Sequence, residues 1–542
     1  MKHLLLAAAL GLSLGAQSAP ERPRLIVFIA IDGLPMRQVE AWKGQFGPDG
    51  FRRFLDQGST WAQASYLHAH TVTGVGHASM LTGATPALHG IISNEWTDPR
   101  TRQGLYCAED RRHRYLGVPL NAPEAGTSPA NLLAETVGDV LRKREPLAKV
   151  IGISGKDRGA ILPAGHSGTA YMFLTENGFF SSSTYYMAQH PAWVNAFNAR
   201  RPADALWGAT WNPLLPEAAY AGYAPDDSPW MASAGYGRSL PATMGKGQED
   251  KGPRFYGDLL TSPFGDQLTL DFARAALSGE QLGQDRTPDI LAISLSSHDY
   301  VSHAFGPESR LAQDHLLHVD RLLQGFFRDL DARVGKGRYA VMLTADHGFT
   351  DTPEWAKQQG RPAGRLPVAQ LLGLLNASLQ EQFGLPRLAR TLSASGVLFD
   401  ETLMREKELD PGTVYRAAAK ALRGQEGIGA AYGPDELRSP QAPRADQPLL
   451  QTLRHAWHPE RSPPVLFGMA EGWILGSRLQ GATHGNPWPS DQHVPILAWG
   501  PRWFAKARIE TPVAVTDIAP TLSKLLRQPV PSQSIGRLLA AR

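Results

Sequence analysis

Cysteine is almost absent: Cys107 stands alone in 542 residues. No disulfide can form within the chain, and a metal site built on several thiolates is excluded. An excess of one charge is also missing. The 54 Lys and Arg nearly match the 51 Asp and Glu, leaving a formal net charge of +3, too balanced to argue for nucleic acid binding, and no nucleic acid polymer is expected as a partner. There is no internal repeat and no low-complexity tract. Beyond the N-terminus no apolar run reaches the length of a membrane span.

What is there fits a loop-rich globular enzyme: 42% hydrophobic residues, 54 Gly, 42 Pro and 13 Trp. The length allows two or more domains, or one large α/β domain with insertions. The first 19 residues have a basic start, an apolar core over residues 4–14 and small residues before Pro20. This is the pattern of a secretory signal peptide, with Ala16 and Ser18 suiting the cleavage rule. The expectation is a mature chain starting near Ala19, periplasmic or secreted, with no stable membrane association.

Continuous apolar runs over residues 24–31, 149–154, 289–295 and 339–344 read as strands covered on both faces. Helical spacing over residues 39–57 (broken near Gly47-Pro48), 130–145, 267–277 and 310–334 alternates with them. A further strand is expected over 494–499, and a last helix opens at Asp517 with Pro520 in its first turn. This alternation predicts an α/β fold: a doubly wound, mostly parallel sheet with helices on both faces and inserted subdomains. Two stretches, near 165–260 and 360–460, read as the insertions.

Asp32, Lys156, Asp299 and Asp346 follow four of these strands, and in a mostly parallel sheet the carboxyl ends share one edge where ligands gather. Asp299 and His303 are four apart and face the same way on a helical turn. Asp346 and His347 are adjacent at a strand end, and His484 adds an imidazole. Carboxylates with imidazoles suit Zn²⁺. Each piece also has an ordinary reading, as a helix cap or a solvated pair. The stretch Thr73-Gly74-Val75-Gly76-His77 puts a hydroxyl at the first turn of a helix, where free N–H groups favour an anion; its ordinary reading is a helix N-cap.

Together these residues resemble the alkaline phosphatase superfamily. The resemblance rests on Asp32-Gly33, Thr73 with Gly74, Gly76 and His77, Gly90-Ile91 with Asn94 and Trp96, Asp299 with His303, Asp346-His347-Gly348 and His484-Gly485. Lys156 and Arg158 place it nearest the phosphate-irrepressible bacterial type with a threonine nucleophile. The resemblance spans residues 24 to about 521, so residues 20–542 form its catalytic domain. It implies two Zn²⁺, one on Asp299, His303 and His484, the other on Asp32, Asp346 and His347 with Thr73. It implies that Thr73 attacks phosphorus while Asn94, Lys156 and Arg158 hold the phosphoryl oxygens. Val75 stands where relatives usually have Pro. His493 competes with His484, and Thr71 is a rival nucleophile placed two residues before the Gly-x-Gly turn.

The expected activity is hydrolysis of small-molecule phosphate monoesters by a monomer. A phosphodiesterase or nucleotide pyrophosphatase with the same metals is the alternative. A sulfatase is disfavoured, because Cys107 lacks the following Pro-x-Arg. A non-catalytic exported binding protein is the remaining reading.

Overall fold

The computed structural model describes residues 21–118, 125–476 and 480–539. The expected signal peptide lies outside them. Nine strands form one sheet: β1 (Leu25–Ile31), β2 (Ser59–Trp61), β3 (Val150–Ser154), β4 (Thr169–Leu174), β5 (Phe179–Ser181), β6 (Asp289–Leu295), β7 (Tyr339–Thr344), β8 (Ile496–Trp499) and β9 (Ala507–Ile509). Their spatial order is β9-β2-β8-β7-β1-β6-β3-β4-β5.

The middle of the sheet is parallel, from β7 through β1, β6 and β3 to β4. β8 runs antiparallel against both β7 and β2, and β5 antiparallel against β4. All seven residues of β1 are buried. A strand without alternation has no polar face to turn outward, so it is driven to the centre with helices over both sides. Burying each Leu, Ile, Val or Phe there is worth roughly 1.5–3 kcal/mol.

Register fixes the functional edge. Ile31 pairs with Leu295, Ala30 with Thr344, and Ser294 with Ser154. The carboxyl ends of β1, β3, β6 and β7 are therefore level. Three helices begin with residues of this edge: α1 (Thr73–Thr82), α2 (Asp157–Ala164) and α3 (Ser297–Phe305). A fourth, α4 (Arg310–Arg333), packs against α3.

Two local expectations are corrected. The helix expected over 130–145 starts only at Val137, because Thr136 and Asp139 form a capping box there. Residues 169–181, at the start of the expected first insertion, are strands β4 and β5 of the main sheet. The rest of that stretch packs on the main core: Asp314 of α4 accepts hydrogen bonds from Trp211 Nε1 (2.6 Å), Leu214 N (2.7 Å) and Tyr220 OH (2.5 Å). Residues 366–475 carry an apolar cluster of their own, built on Val368–Phe383, Pro411–Arg423, the hairpin of Ala389–Ser393 with Gly396–Phe399, and the antiparallel pair Ile428–Tyr432 and Leu466–Met469.

Candidate active site

The edge of the sheet collects three carboxylates, three imidazoles and a lysine. Asp32 directly follows β1, Asp346 follows β7, and Asp299 lies in the first turn of α3. All three are buried. Asp346 is oriented by Gly33 N (3.0 Å) and His347 N (3.1 Å), both donating to Oδ1, so Oδ2 points into the site.

The imidazoles are aimed from behind. His303 Nδ1 donates to Ala482 O (2.9 Å), His347 Nδ1 to Gly348 O (2.8 Å) and His484 Nδ1 to Thr71 O (2.8 Å). Each ring thus turns Nε2 toward the carboxylates, the orientation that backbone carbonyls impose on metal-binding histidines. His303 Nε2 and His484 Nε2 each lie 3.4 Å from Asp299 Oδ1. His347 Nε2 lies 3.4 Å from Asp32 Oδ1 and 3.5 Å from Asp346 Oδ2.

Among the described residues two groups have ligand atoms within 4.8 Å of one another: Asp299 with His347 and His484, and Asp32 with Asp346 and His347. His347 therefore faces both groups. His303 stands at the rim, its side chain 38% exposed. His493 is elsewhere, its Nε2 on Ala62 O (2.7 Å). Asp32 Oδ1, Asp299 Oδ1, Asp346 Oδ2 and His347 Nε2 are buried without a hydrogen-bond partner. Buried anionic oxygens of this kind call for cations, so the donor set fits divalent metals.

The charges respond to one another. Burial alone would raise Asp32 and Asp299, but Lys156 and His347 pull Asp32 well below the usual carboxylate range, and His303 and Lys156 do the same for Asp299. Burial would lower His347, yet Asp346 and Asp32 hold it up to about 9. Burial and the nearby His347 push His484 down.

Thr73 is the first residue of α1, and the N-cap is Val72, so capping is not its role. Asn94 does that work: its Oδ1 accepts from Gly74 N at 2.7 Å. Arg158, in the first turn of α2, directs Nη2 to Thr73 Oγ1 at 3.4 Å. Lys156 is buried and forms no surface pair with Asp157. Its Nζ lies 2.7 Å from Asp32 Oδ2 and 2.5 Å from Asp299 Oδ2. Thr71 donates to Asn486 O (3.1 Å) and anchors His484 through its carbonyl, a scaffolding role. Burial pushes the Cys107 thiol up to about 12, so it is no nucleophile.

Two participants have no role legible in the sequence. His77 Nδ1 donates to Thr73 O (2.9 Å) and lies 3.2 Å from Asp346 Oδ2, so the imidazole stands between the hydroxyl's own residue and the end of β7. Its place one helical turn after Thr73 is the available signal. Tyr106 reaches Arg158 from a hairpin distant in sequence, and nothing local marks it.

A family profile described as type I phosphodiesterase / nucleotide pyrophosphatase matches residues 26–490. The alkaline phosphatase PafA of Elizabethkingia meningoseptica is 34% identical, over 97% of this chain and 95% of its own. The alkaline phosphatase PhoV of Synechococcus elongatus is 35% identical, over 96% of this chain and 92% of its own. The chain belongs to the type I phosphodiesterase / nucleotide pyrophosphatase family, within the alkaline phosphatase superfamily. It is a phosphatase. The crystal structure of wild-type PafA superposes on this phosphatase with a TM-score of 0.88 at 31% identity, covering 96% of this chain and 99% of that one. A PafA variant of known structure carries substitutions of a threonine, an asparagine, a lysine and an arginine spaced 21, 62 and 2 residues apart.

Proposed function

We propose that this phosphatase is an exported, zinc-dependent phosphomonoesterase that works through a phospho-threonine at Thr73. The observation carrying the reading is the set of buried oxygens and the imidazole nitrogen that converge, without hydrogen-bond partners, at the same sheet edge as Thr73. Asp299, His303 and His484 would hold one ion; Asp32, Asp346, His347 and Thr73 the other. Bound ions there would supply Lewis acidity, lowering the pKa of a ligated hydroxyl and offsetting charge on a leaving oxygen.

Thr73 Oγ1 attacks phosphorus, forming its bond to phosphorus as the bond to the leaving oxygen breaks. Water then hydrolyses the phosphothreonine and frees phosphate. The first turn of α1 keeps Thr73 at a helix N-terminus, where negative charge is favoured. Asn94, pinned through Oδ1 by Gly74 N, turns its amide nitrogen to a phosphoryl oxygen. Arg158 supplies planar donors beside Thr73. Thr73, Asn94, Lys156 and Arg158 are spaced 21, 62 and 2 apart, as in the substituted PafA variant.

The family description also supports diester hydrolysis at the same site. A monoester carries one more charged oxygen, and Arg158 beside Thr73, with Lys156 behind it on Asp32 and Asp299, favours it. The signal-like N-terminus supports export, and among the described residues no helix is long and apolar enough to cross a membrane. The test is hydrolysis of p-nitrophenyl phosphate by purified protein before chelation, after it and after return of Zn²⁺. Loss and recovery are expected; full activity in protein shown by elemental analysis to hold no divalent metal would overturn the reading.

A further inference from the structure

The first turn of α2 holds Arg158 in a way the phosphoryl contacts do not explain. Asp157 sits beside it but forms no ion pair with it within 4 Å among the described residues. Its carboxylate is occupied elsewhere: Oδ1 accepts from Tyr106 OH (2.5 Å) and Arg158 N (2.6 Å), and Oδ2 from Tyr115 OH (3.1 Å) and Gly126 N (2.7 Å). Tyr106 thereby spends its only proton on Asp157, and its oxygen lone pair accepts from Arg158 Nη1 at 3.3 Å. The other terminal nitrogen of the same guanidinium, Nη2, faces Thr73 Oγ1. Its Nε is buried without a partner.

The guanidinium is planar, so fixing one terminal nitrogen fixes the direction of the others. Tyr106 is 6% exposed and lies on the hairpin of Glu95–Thr97 with Gly104–Tyr106, where it pairs with Glu95. The adjoining Cys107 N donates to Asn94 O at 2.8 Å. One small hairpin therefore carries Asn94 and also holds Arg158. Burial and Asp157 both raise the Tyr106 hydroxyl well above its usual range, which keeps the proton on it.

We propose that Tyr106 is a positioning residue for phosphoryl transfer: it links the Asp157 carboxylate to Arg158 Nη1 and sets which edge of the guanidinium meets the transferring group. This rests on Arg158 as a phosphoryl donor. Removing the hydroxyl leaves Arg158 Nη1 without its acceptor, and the fork is free to rotate away from Thr73.

The experiment is a double-mutant cycle of Tyr106→Phe and Arg158→Ala in the metal-loaded enzyme. It is read by kcat/KM for p-nitrophenyl phosphate and by the inhibition constant of inorganic phosphate. Tyr106→Phe alone should lower kcat/KM and weaken phosphate inhibition, each on the order of 10- to 100-fold, the usual worth of a hydrogen bond to a charged group. In the Arg158→Ala background the same substitution should change neither quantity more than about twofold. Equal losses in both backgrounds would overturn the proposal and leave Tyr106 with a packing role only. Asp157→Asn provides a second entry should Tyr106→Phe fold poorly: a loss that disappears with Arg158→Ala supports the chain, and one that persists contradicts it. Failure of Arg158 itself is read separately. Arg158→Ala costing monoester and diester activity equally would overturn its role as a phosphoryl donor, whatever Tyr106 does.

Discussion

Gly76 lies so close to Asp346 that a Cβ on it would fall 2.0 Å from the Asp346 carbonyl oxygen. The contact is backbone against backbone, so no rotamer can relieve it. Through it the second turn of α1 rests on the end of β7, and Thr73 keeps a fixed position beside the carboxylate cluster. The Gly-x-Gly of the motif is thus a packing requirement as well as a turn.

Gly76→Ala should therefore push α1 off β7. The expected cost is about 1–3 kcal/mol of stability from overpacking, with kcat/KM lower on the order of 10²-fold from displacing Thr73. Gly104, where an added Cβ meets nothing within 4 Å, is the control, with Gly104→Ala changing stability by less than about 1 kcal/mol. Denaturant titration and p-nitrophenyl phosphate kinetics on both variants read this; full activity in Gly76→Ala would refute the coupling.

Lys156→Ala with Arg158→Ala should separate monoesters from diesters. The double variant is expected to lose on the order of 10²–10⁴-fold in monoester kcat/KM, by analogy with removing preorganised donors. Because Lys156 also pairs with Asp32 and Asp299, metal content must be measured alongside. With metal retained, methyl p-nitrophenyl phosphate hydrolysis should fall much less. Equal losses on the two esters would remove the preference for monoesters.

At the opposite edge of the sheet, Asp289 opens β6 and accepts from Lys149 N (2.8 Å) and Gly283 N (2.9 Å). Burial outweighs these bonds and pushes its carboxyl from 3.8 up to about 6. The folded state then holds the proton more tightly than the unfolded chain. Its stabilisation is complete below about pH 4 and is lost as pH rises through about 6, a change of about 2–3 kcal/mol. Asp289→Asn cannot ionise, so its stability relative to wild type should improve by that amount between pH 4 and 7. Urea unfolding of both proteins across this range is the check, and a difference independent of pH would show that Asp289 titrates normally.

The sheet and the site are legible where signals are local. Asp32 and Asp346 follow unbroken apolar strands, and Asp299 with His303 has helical spacing, so sequence alone puts them on one edge. His484 is separated from His493 only by the resemblance, since the choice depends on Thr71 O, 413 residues away in the chain. Lys156 reads in the sequence as a phosphate contact alone; its place between two carboxylates needs the register of three strands. Residues 169–181 do not read as strands of the main sheet because their places are set by β4 pairing with β3 and β5 with β4, not by their own pattern. The 182–260 stretch is illegible for the same reason: its order comes from distant partners such as Asp314 on Trp211 and Tyr220.

Thr73→Ala should abolish turnover, by at least about 10³-fold, while leaving metal content and thermal midpoint near those of wild type. Asp32, Asp346 and His347 still offer their ligand atoms without the hydroxyl. Turnover within tenfold of wild type would place the nucleophile elsewhere.

The most direct measurement is to quench the enzyme with acid while it turns over p-nitrophenyl phosphate, digest it, and locate the bound phosphate by peptide mass spectrometry. Phosphate is expected on Thr73 in the wild type and on no residue in Thr73→Ala. Phosphate on Thr71, or on any residue other than Thr73, would contradict the mechanism.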